Sequence, residues 1–275
     1  MKKTIRSVFR KILEHDWIWQ LCPSWLRDKS FIRVQRGVAL EERYKNLCSK
    51  IFIERKVLNG PFSGLYFPTL NIQGSALFPR LVGSYESELH TILERLLNKS
   101  YVSVIDIGFA EGYYLIGLGK RLKNSKLIGF DISSEAHELC SKLSISNDIS
   151  NERIFLLGEC NPSTLSQFLP SKSSLLLCDC EGFEAQVFSE NDKSIWIDSD
   201  IIVECHDFIK FGVTEFICSV LKDSHAISLI YTASSEEKLE FLDDPMFDIF
   251  KMEEKLRLVA EGRPSKQCWI VAEAI

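Results

Sequence analysis

The sequence predicts an α/β fold in which helices cover both faces of a mainly parallel sheet. From residue 101 onward, short apolar runs rich in β-branched residues recur along the chain. Stretches with the apolar spacing of helices separate these runs, and turn-forming residues mark the junctions. Strands that alternate with helices are typical of parallel sheets, because each parallel connection must cross a face of the sheet.

The predicted strands are VSVIDI (102–107), KLIGFD (126–131), RIFLLGE (153–159), SLLLCD (174–179), DIIVECH (200–206), AISLIYT (226–232) and QCWIVAE (267–273). Helices are predicted between or after them at Tyr113–Leu122, Glu135–Ile145, Pro162–Phe168 and Phe211–Leu221. A further helix is expected from about Ser84, with Glu86 and Glu88 in its first turn. The Gly- and Pro-containing segment Gly60–Gly83 predicts short strands and turns.

The first 60 residues are predicted to form a helical extension, and residues 61–275 the α/β domain, with its core at 100–275. Residues 1 to about 21 have helical periodicity, with an apolar face of Ile5, Val8, Phe9 and Ile12. One interpretation is a helix packed on its own domain or on a partner subunit. In the second case the extension would be a homodimer arm. The alternative is a basic amphipathic helix on a membrane surface.

Composition excludes several classes of protein. The formal net charge of −5 disfavours nucleic acid as a partner, because that binding depends on neutralising phosphates with Lys and Arg. The nine cysteines contain no CxxC pair, which fits buried reduced thiols better than a zinc ribbon or a disulfide framework. No apolar run reaches the length of a transmembrane helix, and charged residues interrupt any leader-like N-terminus. We therefore expect a cytoplasmic protein.

The loop after the first strand reads DIGFAEG, from Asp106 to Gly112. Gly108 allows the chain to turn tightly and to approach a ligand. A dinucleotide site wants G-x-G-x-x-G, whereas this loop has G-x-x-x-G, and the carboxylate of Glu111 would oppose a pyrophosphate at the helix start. S-adenosylmethionine (SAM) has no phosphate and carries an ammonium and a sulfonium group, so the loop favours SAM over a nicotinamide cofactor.

Several side chains are candidates for contacts with that cofactor. Asp131 ends the second strand and would accept hydrogen bonds from the ribose hydroxyls, or else belong to a helix cap near Ser133. Glu159 would border the adenine or be a solvated loop acid, Tyr113 would contact the methionine part, and Glu86 would bind the ammonium or serve as a first-turn helix acid. The full predicted set is Glu86, Asp106, Gly108, Phe109, Glu111, Gly112, Tyr113, Asp131, Ile132 and Glu159.

A more specific pattern follows the fourth strand. The D-x-E-G-x-E segment at 179–184 resembles the hallmark region of the FkbM-like methyltransferases, and VIDIGFAEGYY (104–114), DIIVECH (200–206) and GSYESELH (83–90) are similar to further elements of that family. The resemblance covers roughly residues 60–275. It implies a Rossmann-like, seven-stranded, mostly parallel sheet of the class I methyltransferase type, with an antiparallel last strand. It also implies SAM-dependent methyl transfer, commonly to an oxygen of a sugar or other small metabolite.

The fourth and fifth strands should end beside the transferred methyl group, and they supply four candidate catalytic residues: Asp179, Glu181, Glu204 and His206. His206 would act as the base for a hydroxyl acceptor, oriented by Asp179 or Glu204. Alternatively, Asp179, Glu204 and His206 would hold Mg²⁺ or Mn²⁺, which would lower the pKa of the hydroxyl. In a third interpretation, Glu181 and Glu184 are helix caps, and Glu204 and His206 bind loops.

The predicted function is O-methylation of a small-molecule acceptor. Arg263, before the last strand, would line the acceptor pocket or be an ordinary surface arginine. Two other functions stay open at this point: a nicotinamide-dependent oxidoreductase on a similar sheet, and a non-catalytic SAM-binding protein with the same fold.

Overall fold

The computed structural model describes residues 10–27, 30–70, 76–168, 173–190, 193–263 and 266–275. It divides into two compact units, one formed by residues 1–54 with 243–257 and the other by residues 55–242 with 258–275. The first unit thus includes an internal segment that the sequence had assigned to the α/β domain. Ile5, Val8 and Phe9 of the predicted N-terminal helix lie outside the described residues. No helix among the described residues is both long and apolar enough to span a bilayer.

Residues 10–13 are helical, and the helices that follow, labelled α1 to α11 in chain order, are Asp16–Leu21, Ser24–Arg27, Ser30–Ile51, Leu77–Val82, His90–Leu96, Tyr113–Arg121, Ser134–Ser146, Pro162–Leu165, Glu184–Glu190, Val213–Leu221 and Met252–Val259. The strands, β1 to β7, are Ser103–Ile107, Lys126–Phe130, Ile154–Leu157, Ser174–Cys178, Ser199–Cys205, His225–Tyr231 and Cys268–Ala274. Short 3₁₀ helices occur at Ser87–Leu89, Lys193–Ile195, Glu237–Leu242 and Pro245–Phe247.

Charged and aromatic side chains connect the two parts of the first unit. The guanidinium of Arg43, on α3, donates to the carboxylate of Glu254 and, at 2.8 Å, to the backbone carbonyl of Ile249. The Arg257 guanidinium lies 4.0 Å from the ring centre of Tyr44, a cation–π arrangement. These contacts fix residues 243–257 to the N-terminal helices.

The second unit contains a seven-stranded sheet of order β3-β2-β1-β4-β5-β7-β6. The first five strands in this order, β3, β2, β1, β4 and β5, are parallel to one another. Strand β7 is antiparallel to both β5 and β6. This confirms the predicted fold, including all seven strands and the antiparallel last strand. The direction of winding reverses between β1 and β4, and in such sheets ligands bind beyond the carboxyl ends of the strands at that point.

The central strands are buried on both faces, as expected for parallel strands covered by helices. Phe188 and Trp196 form a buried aromatic pair in the core beside these strands, with ring centroids 4.7 Å apart. Burying side chains of this kind contributes roughly 1.5–3 kcal/mol each. The sheet is therefore a rigid base for the loops at its carboxyl edge.

The segment Gly60–Gly83 was predicted to form short strands and turns; in its described part the turns are present at residues 61–64, but the predicted strands are not. It contributes an isolated bridge between Lys56 and Tyr66 and then the helix Leu77–Val82. Pro79 is compatible with this helix because it lies in the first turn, where backbone N–H groups have no partner within the helix.

The expected helix from Ser84 also begins later. Glu86 has a left-handed backbone (φ 48°) and precedes a 3₁₀ turn, so it is not a first-turn helix acid.

Gly108, at the end of β1, is where two loops of the sheet meet. Its φ of +87° favours glycine, and a Cβ added there would lie 1.7 Å from the backbone oxygen of Asp179. The amide of Asp179 in turn donates to the carbonyl of Ile107 at 2.9 Å. A side chain at residue 108 would therefore push apart the loops that follow β1 and β4.

We expect Gly108→Ala to lower the free energy of unfolding by at least about 2 kcal/mol, from the left-handed backbone and the overpacking together. Urea denaturation of the purified protein measures this change. Gly158→Ala is the matched control, because a Cβ at Gly158 meets no atom within 4 Å. Equal stability of the two variants would contradict the close approach.

Candidate active site

A cavity of about 980 Å³ lies at the carboxyl edge of the sheet, where β1, β2, β4 and β5 end. Of the residues predicted to form a site, those that line it are Gly108, Asp131, Ile132, Glu159, Asp179, Glu181, Glu204 and His206. Those that do not line it are Glu86, Asp106, Phe109, Glu111, Gly112 and Tyr113. The structure thus brings together all four predicted catalytic residues and four of the predicted cofactor residues.

Asp131 connects β2 to the loop after β1. One carboxylate oxygen accepts the backbone N–H of Ala110 at 3.0 Å, and the other accepts the N–H of Ser133 at 2.8 Å. Ser133 itself caps the following helix by accepting the N–H of Ala136. Each carboxylate oxygen has a second lone pair, so Asp131 can fix the loop and still accept hydrogen bonds from a ligand in the cavity.

Glu111 and Tyr113 are buried behind the loop. The carboxylate of Glu111 forms an ion pair with Arg80, whose guanidinium lines the cavity and lies 4.4 Å from the ring centre of Tyr85. The ring of Tyr113 packs edge-on against Phe62, with centroids 5.2 Å apart. These residues shape the wall of the cavity, and Arg80 is the member of this group that faces it.

The other predicted cofactor residues that do not line the cavity also support the loop from below. Phe109 is buried against Gly129 and the ring of His137, and Gly112 has the left-handed backbone that begins α6. Asp106 is buried at the end of β1. Burial and the neighbouring Asp179 raise the pKa of Asp106 well above its ordinary value.

Arg263 binds three acids, two of which are distant from it in the chain. Its guanidinium donates to Glu261 at 2.8 Å and also to the carboxylates of Glu204 and Glu86 and to the side chain of Gln267. Arg263 lines the cavity, so it is not an ordinary surface arginine. Most of its donors are already used, so its main role here is to hold carboxylates in place.

Asp179, directly after β4, and Glu204, on the neighbouring strand β5, both line the cavity. Burial and the charge of Asp179 raise the pKa of Glu204, and burial likewise raises the pKa of Asp179, against the lowering influence of His206. Two close carboxyl groups are costly to ionise together in a buried site, which is why Asp179 adds to the upward shift of the Glu204 pKa.

His206, directly after β5, is bound on one side by a buried carboxylate. Its Nδ1 lies 2.8 Å from an Oε of Glu184, a residue with no exposed surface. The same oxygen accepts the N–H of Gly182 at 3.0 Å. Burial alone would lower the pKa of His206, but the hydrogen bond and charge of Glu184 outweigh it and raise that pKa. Burial would raise the pKa of Glu184, but its bonds from His206 and Gly182 lower it.

Because Nδ1–H donates to Glu184, the lone pair of neutral His206 is on Nε2. Nε2 lies 3.4 Å from a carboxylate oxygen of Glu181 and 3.7 Å from one of Asp179, both of which line the cavity. Asp179, Glu181 and His206 each offer a ligand atom within 4.8 Å of the others, a spacing that a divalent cation could bridge. Glu204, which the sequence grouped with Asp179 and His206 as a metal site, is instead bound by Arg263.

Sequence reasoning missed Glu184 as the partner of His206, and Arg80 and Glu261 as lining residues. Glu184 is the last acid of D-x-E-G-x-E and the first residue of α9, a helix that the strand-by-strand analysis did not include. A first-turn acid after a glycine turn is a signal for such a helix. Arg80 gave no comparable signal, since its partner Glu111 is distant in sequence, and Glu261, although close to Arg263, belongs to none of the motifs.

No protein-family model and no curated protein sequence matches the chain. Solved structures similar to it include an O-methyltransferase from Bacillus cereus in complex with S-adenosylhomocysteine (SAH), at 12% identity and a TM-score of 0.46, covering 76% of this chain and 84% of that chain.

Another is an O-methyltransferase from Streptomyces achromogenes involved in tomaymycin synthesis, in complex with SAM, at 10% identity and a TM-score of 0.44, covering 69% and 79% of the two chains. A third is precorrin-6y C5,15-methyltransferase from Geobacter metallireducens, at 10% identity and a TM-score of 0.42, covering 71% and 88%. Similarity at this level bears on neither the site nor the substrate.

We expect Glu184→Gln to lower the pKa of His206, because the neutral amide no longer stabilises the imidazolium. NMR titration of the histidine ring signals, with His206 assigned by its loss in His206→Asn, measures this. Glu181→Gln is the control: its side chain is 80% exposed, so solvent screens its charge and we expect a smaller change.

The pair of His206 and Glu184 also predicts how the stability of the folded protein depends on pH. The raised pKa of His206 stabilises the folded protein fully below the unfolded value of about 6.5, and this contribution is lost as pH rises through the folded pKa. The stability difference between wild type and Glu184→Gln should therefore be larger at pH 6 than at pH 9. A difference that grows toward pH 9 in urea denaturation would contradict the pairing.

Proposed function

We propose that this protein is a SAM-dependent methyltransferase that methylates a hydroxyl group of a small acceptor, such as a sugar. The observation that carries the proposal is the pair His206–Glu184, which directs a basic nitrogen into the same cavity that the Gly108 loop and Asp131 enter. A cofactor loop and a proton acceptor in one cavity are what methyl transfer to a hydroxyl requires.

The charge of the cavity fits a cationic cofactor. Its two arginines, Arg80 and Arg263, are already paired with carboxylates, while Asp131, Glu159 and Glu181 add further acidic groups to its lining. Such a lining suits a ligand with ammonium and sulfonium groups and opposes the pyrophosphate of a nicotinamide cofactor. The chemistry of the donors therefore supports SAM over the dinucleotide alternative.

Within this proposal, Asp131 would hold the ribose hydroxyls, and the backbone near Gly108, with Ile132 and Glu159, would surround the rest of the nucleoside. When bound, SAM supplies an activated methyl group on a sulfonium sulfur. The cavity volume of about 980 Å³ lies near the upper end of the usual range for ligand sites, roughly 300–1,000 Å³, which leaves room for an acceptor as well.

His206 would accept the proton of the acceptor hydroxyl at Nε2. Glu184 holds the ring in the tautomer that leaves Nε2 free of hydrogen, and it stabilises the imidazolium that results. Glu184 keeps its charge, because its hydrogen bonds lower its pKa. The glutamate therefore orients the base, a role that the sequence analysis had given to Asp179 or Glu204.

The narrower proposals rest on the sequence. The segment 179–184 supports an FkbM-like lineage. In this protein Asp179 and Glu181 line the cavity, and Glu184 binds His206, which also lines it. The cytoplasmic location and a homodimer formed through the N-terminal extension are likewise proposals.

We expect isothermal titration to detect SAH binding to the wild-type protein, and Asp131→Ala to weaken it roughly 10- to 100-fold, since a hydrogen bond to a charged group contributes about 1.5–3 kcal/mol. Glu135→Gln, four positions along and outside the cavity lining, should bind SAH as the wild type does. Thermal stabilisation by NADP with no heat from SAH would instead support the oxidoreductase.

We expect His206→Ala to retain SAH binding but to lower turnover by about 10²–10⁴-fold, the usual contribution of a general base. SAH formation with a hydroxyl acceptor found by screening glycosides and phenols measures it. The wild-type rate should fall as pH drops below the pKa of His206. Binding of SAH without turnover on any acceptor would favour the non-catalytic alternative.

Full activity in excess EDTA is expected if His206 is the base. Activity that EDTA abolishes and Mg²⁺ or Mn²⁺ restores would assign Asp179, Glu181 and His206 to a metal site instead.

A further inference from the structure

Four large apolar side chains are exposed on the two loops that follow β4 and β5, the strands after which Asp179 and His206 lie. We call them the aromatic rim: Phe183, Phe208, Ile209 and Phe211. Phe183 and Phe208 line the cavity itself, whereas Phe211 is 96% exposed. Exposed apolar residues that cluster beside a cavity are typical of a surface that binds a ligand or partner, while single ones need no explanation.

The rim is held in place by well-defined contacts. A Cβ added to Gly182 would lie 2.9 Å from a methyl group of Ile209, so the loop after β5 packs directly on the turn after β4. The carboxylate of Asp207 accepts the N–H of Gly212 at 3.1 Å and also binds the hydroxyl of Thr214. The ring of Phe208 lies 5.6 Å from that of His206, centroid to centroid. The apolar groups are therefore displayed by an ordered loop next to the base.

The two ends of the cavity differ in chemistry. Asp131, Ile132 and Glu159 line one end, beside β2 and β3, whereas the aromatic side chains of Phe183 and Phe208 line the other end, beside β4 and β5, together with the acids Asp179 and Glu181. If SAM binds beside Asp131, the acceptor approaches from the aromatic rim. A polar acceptor would leave the rim side chains in water and gain nothing from them. An apolar group of the acceptor would bury them, at about 25 cal/mol per Å² of apolar surface removed from water.

We propose that the acceptor is amphipathic, with an acyl chain or aromatic ring attached to the part that carries the reacting hydroxyl. The apolar part lies on the aromatic rim, and the hydroxyl reaches Nε2 of His206 inside the cavity. Continuity between the rim and the cavity wall, through Phe183 and Phe208, is the reason for assigning the rim to the acceptor. This inference rests on the proposed function, because it names the acceptor class of the same site.

The test uses the neutral apolar fluorophore N-phenyl-1-naphthylamine and the full-length protein. We expect saturable fluorescence enhancement, with a Kd that rises at least about fivefold in Phe183→Ser and in Phe211→Ser. Ile145→Ser, an exposed apolar position on α7 outside the cavity lining, is the matched control and should bind the probe as the wild type does. Dodecyl maltoside below its critical micelle concentration should displace the probe, and maltose at the same concentration should not.

SAH titration of every variant separates the two proposals. Normal SAH binding with probe affinity unchanged in both rim variants would overturn the amphipathic acceptor while leaving the methyltransferase intact. Absence of SAH binding in the wild type would instead defeat the proposed function. Sedimentation with phosphatidylglycerol vesicles that is lost in Phe211→Ser, without displacement of the probe by dodecyl maltoside, would assign the rim to a bilayer and also overturn the proposal.

Discussion

The candidate site depends on carboxylates that are buried at the carboxyl edge of the sheet and must be neutralised there. A buried charge without a partner costs several kcal/mol, so each acid requires a cation, a proton or several hydrogen bonds. Arg263 supplies the cation for Glu86 and Glu204, and His206 supplies it for Glu184. Breaking one such pair would leave the other member as a buried charge without a partner. Because that is costly, these side chains have little freedom to move.

That restriction is useful at a reactive site. A base acts well only when its ring is already oriented, because orientation achieved before the reaction does not add to the barrier. Glu184 has no exposed surface and accepts hydrogen bonds from both His206 and the turn at Gly182, so packing and hydrogen bonding fix it together. Nearby, the left-handed backbone of Glu181 directs an exposed side chain toward the same histidine. Glu184 therefore fixes the orientation of the His206 ring, and the exposed Glu181 adds a negative charge beside it.

The sequence predicted the elements of the fold better than the contacts between them. Strands such as Ser174–Cys178 are recognisable because apolar β-branched and aliphatic runs between turns have few other uses in a folded chain. The residues at their ends were also predictable, since parallel strands place their carboxyl ends together. The pairing of acids with basic residues could not be predicted. Arg263 and Glu86, for example, are 177 positions apart, and no local pattern links them. The role of Glu184 as the partner of His206 was missed for a different reason: the sequence offered Glu184 only as a helix cap, and its short helix separates the strands without interrupting their pattern.

The bond between Arg263 and Glu86 also has a consequence for the order in which the chain can assemble. Glu86 precedes β1, whereas Arg263 directly precedes β7, which lies between β5 and β6 in the sheet. During synthesis on the ribosome, the strands β1 to β5 can therefore pair before the acids at their ends have a counter-ion. Until residue 263 emerges and β7 inserts, Glu86 and Glu204 must remain hydrated or protonated. The cavity, which Arg263 helps to line, is thus among the last features that a newly made chain completes.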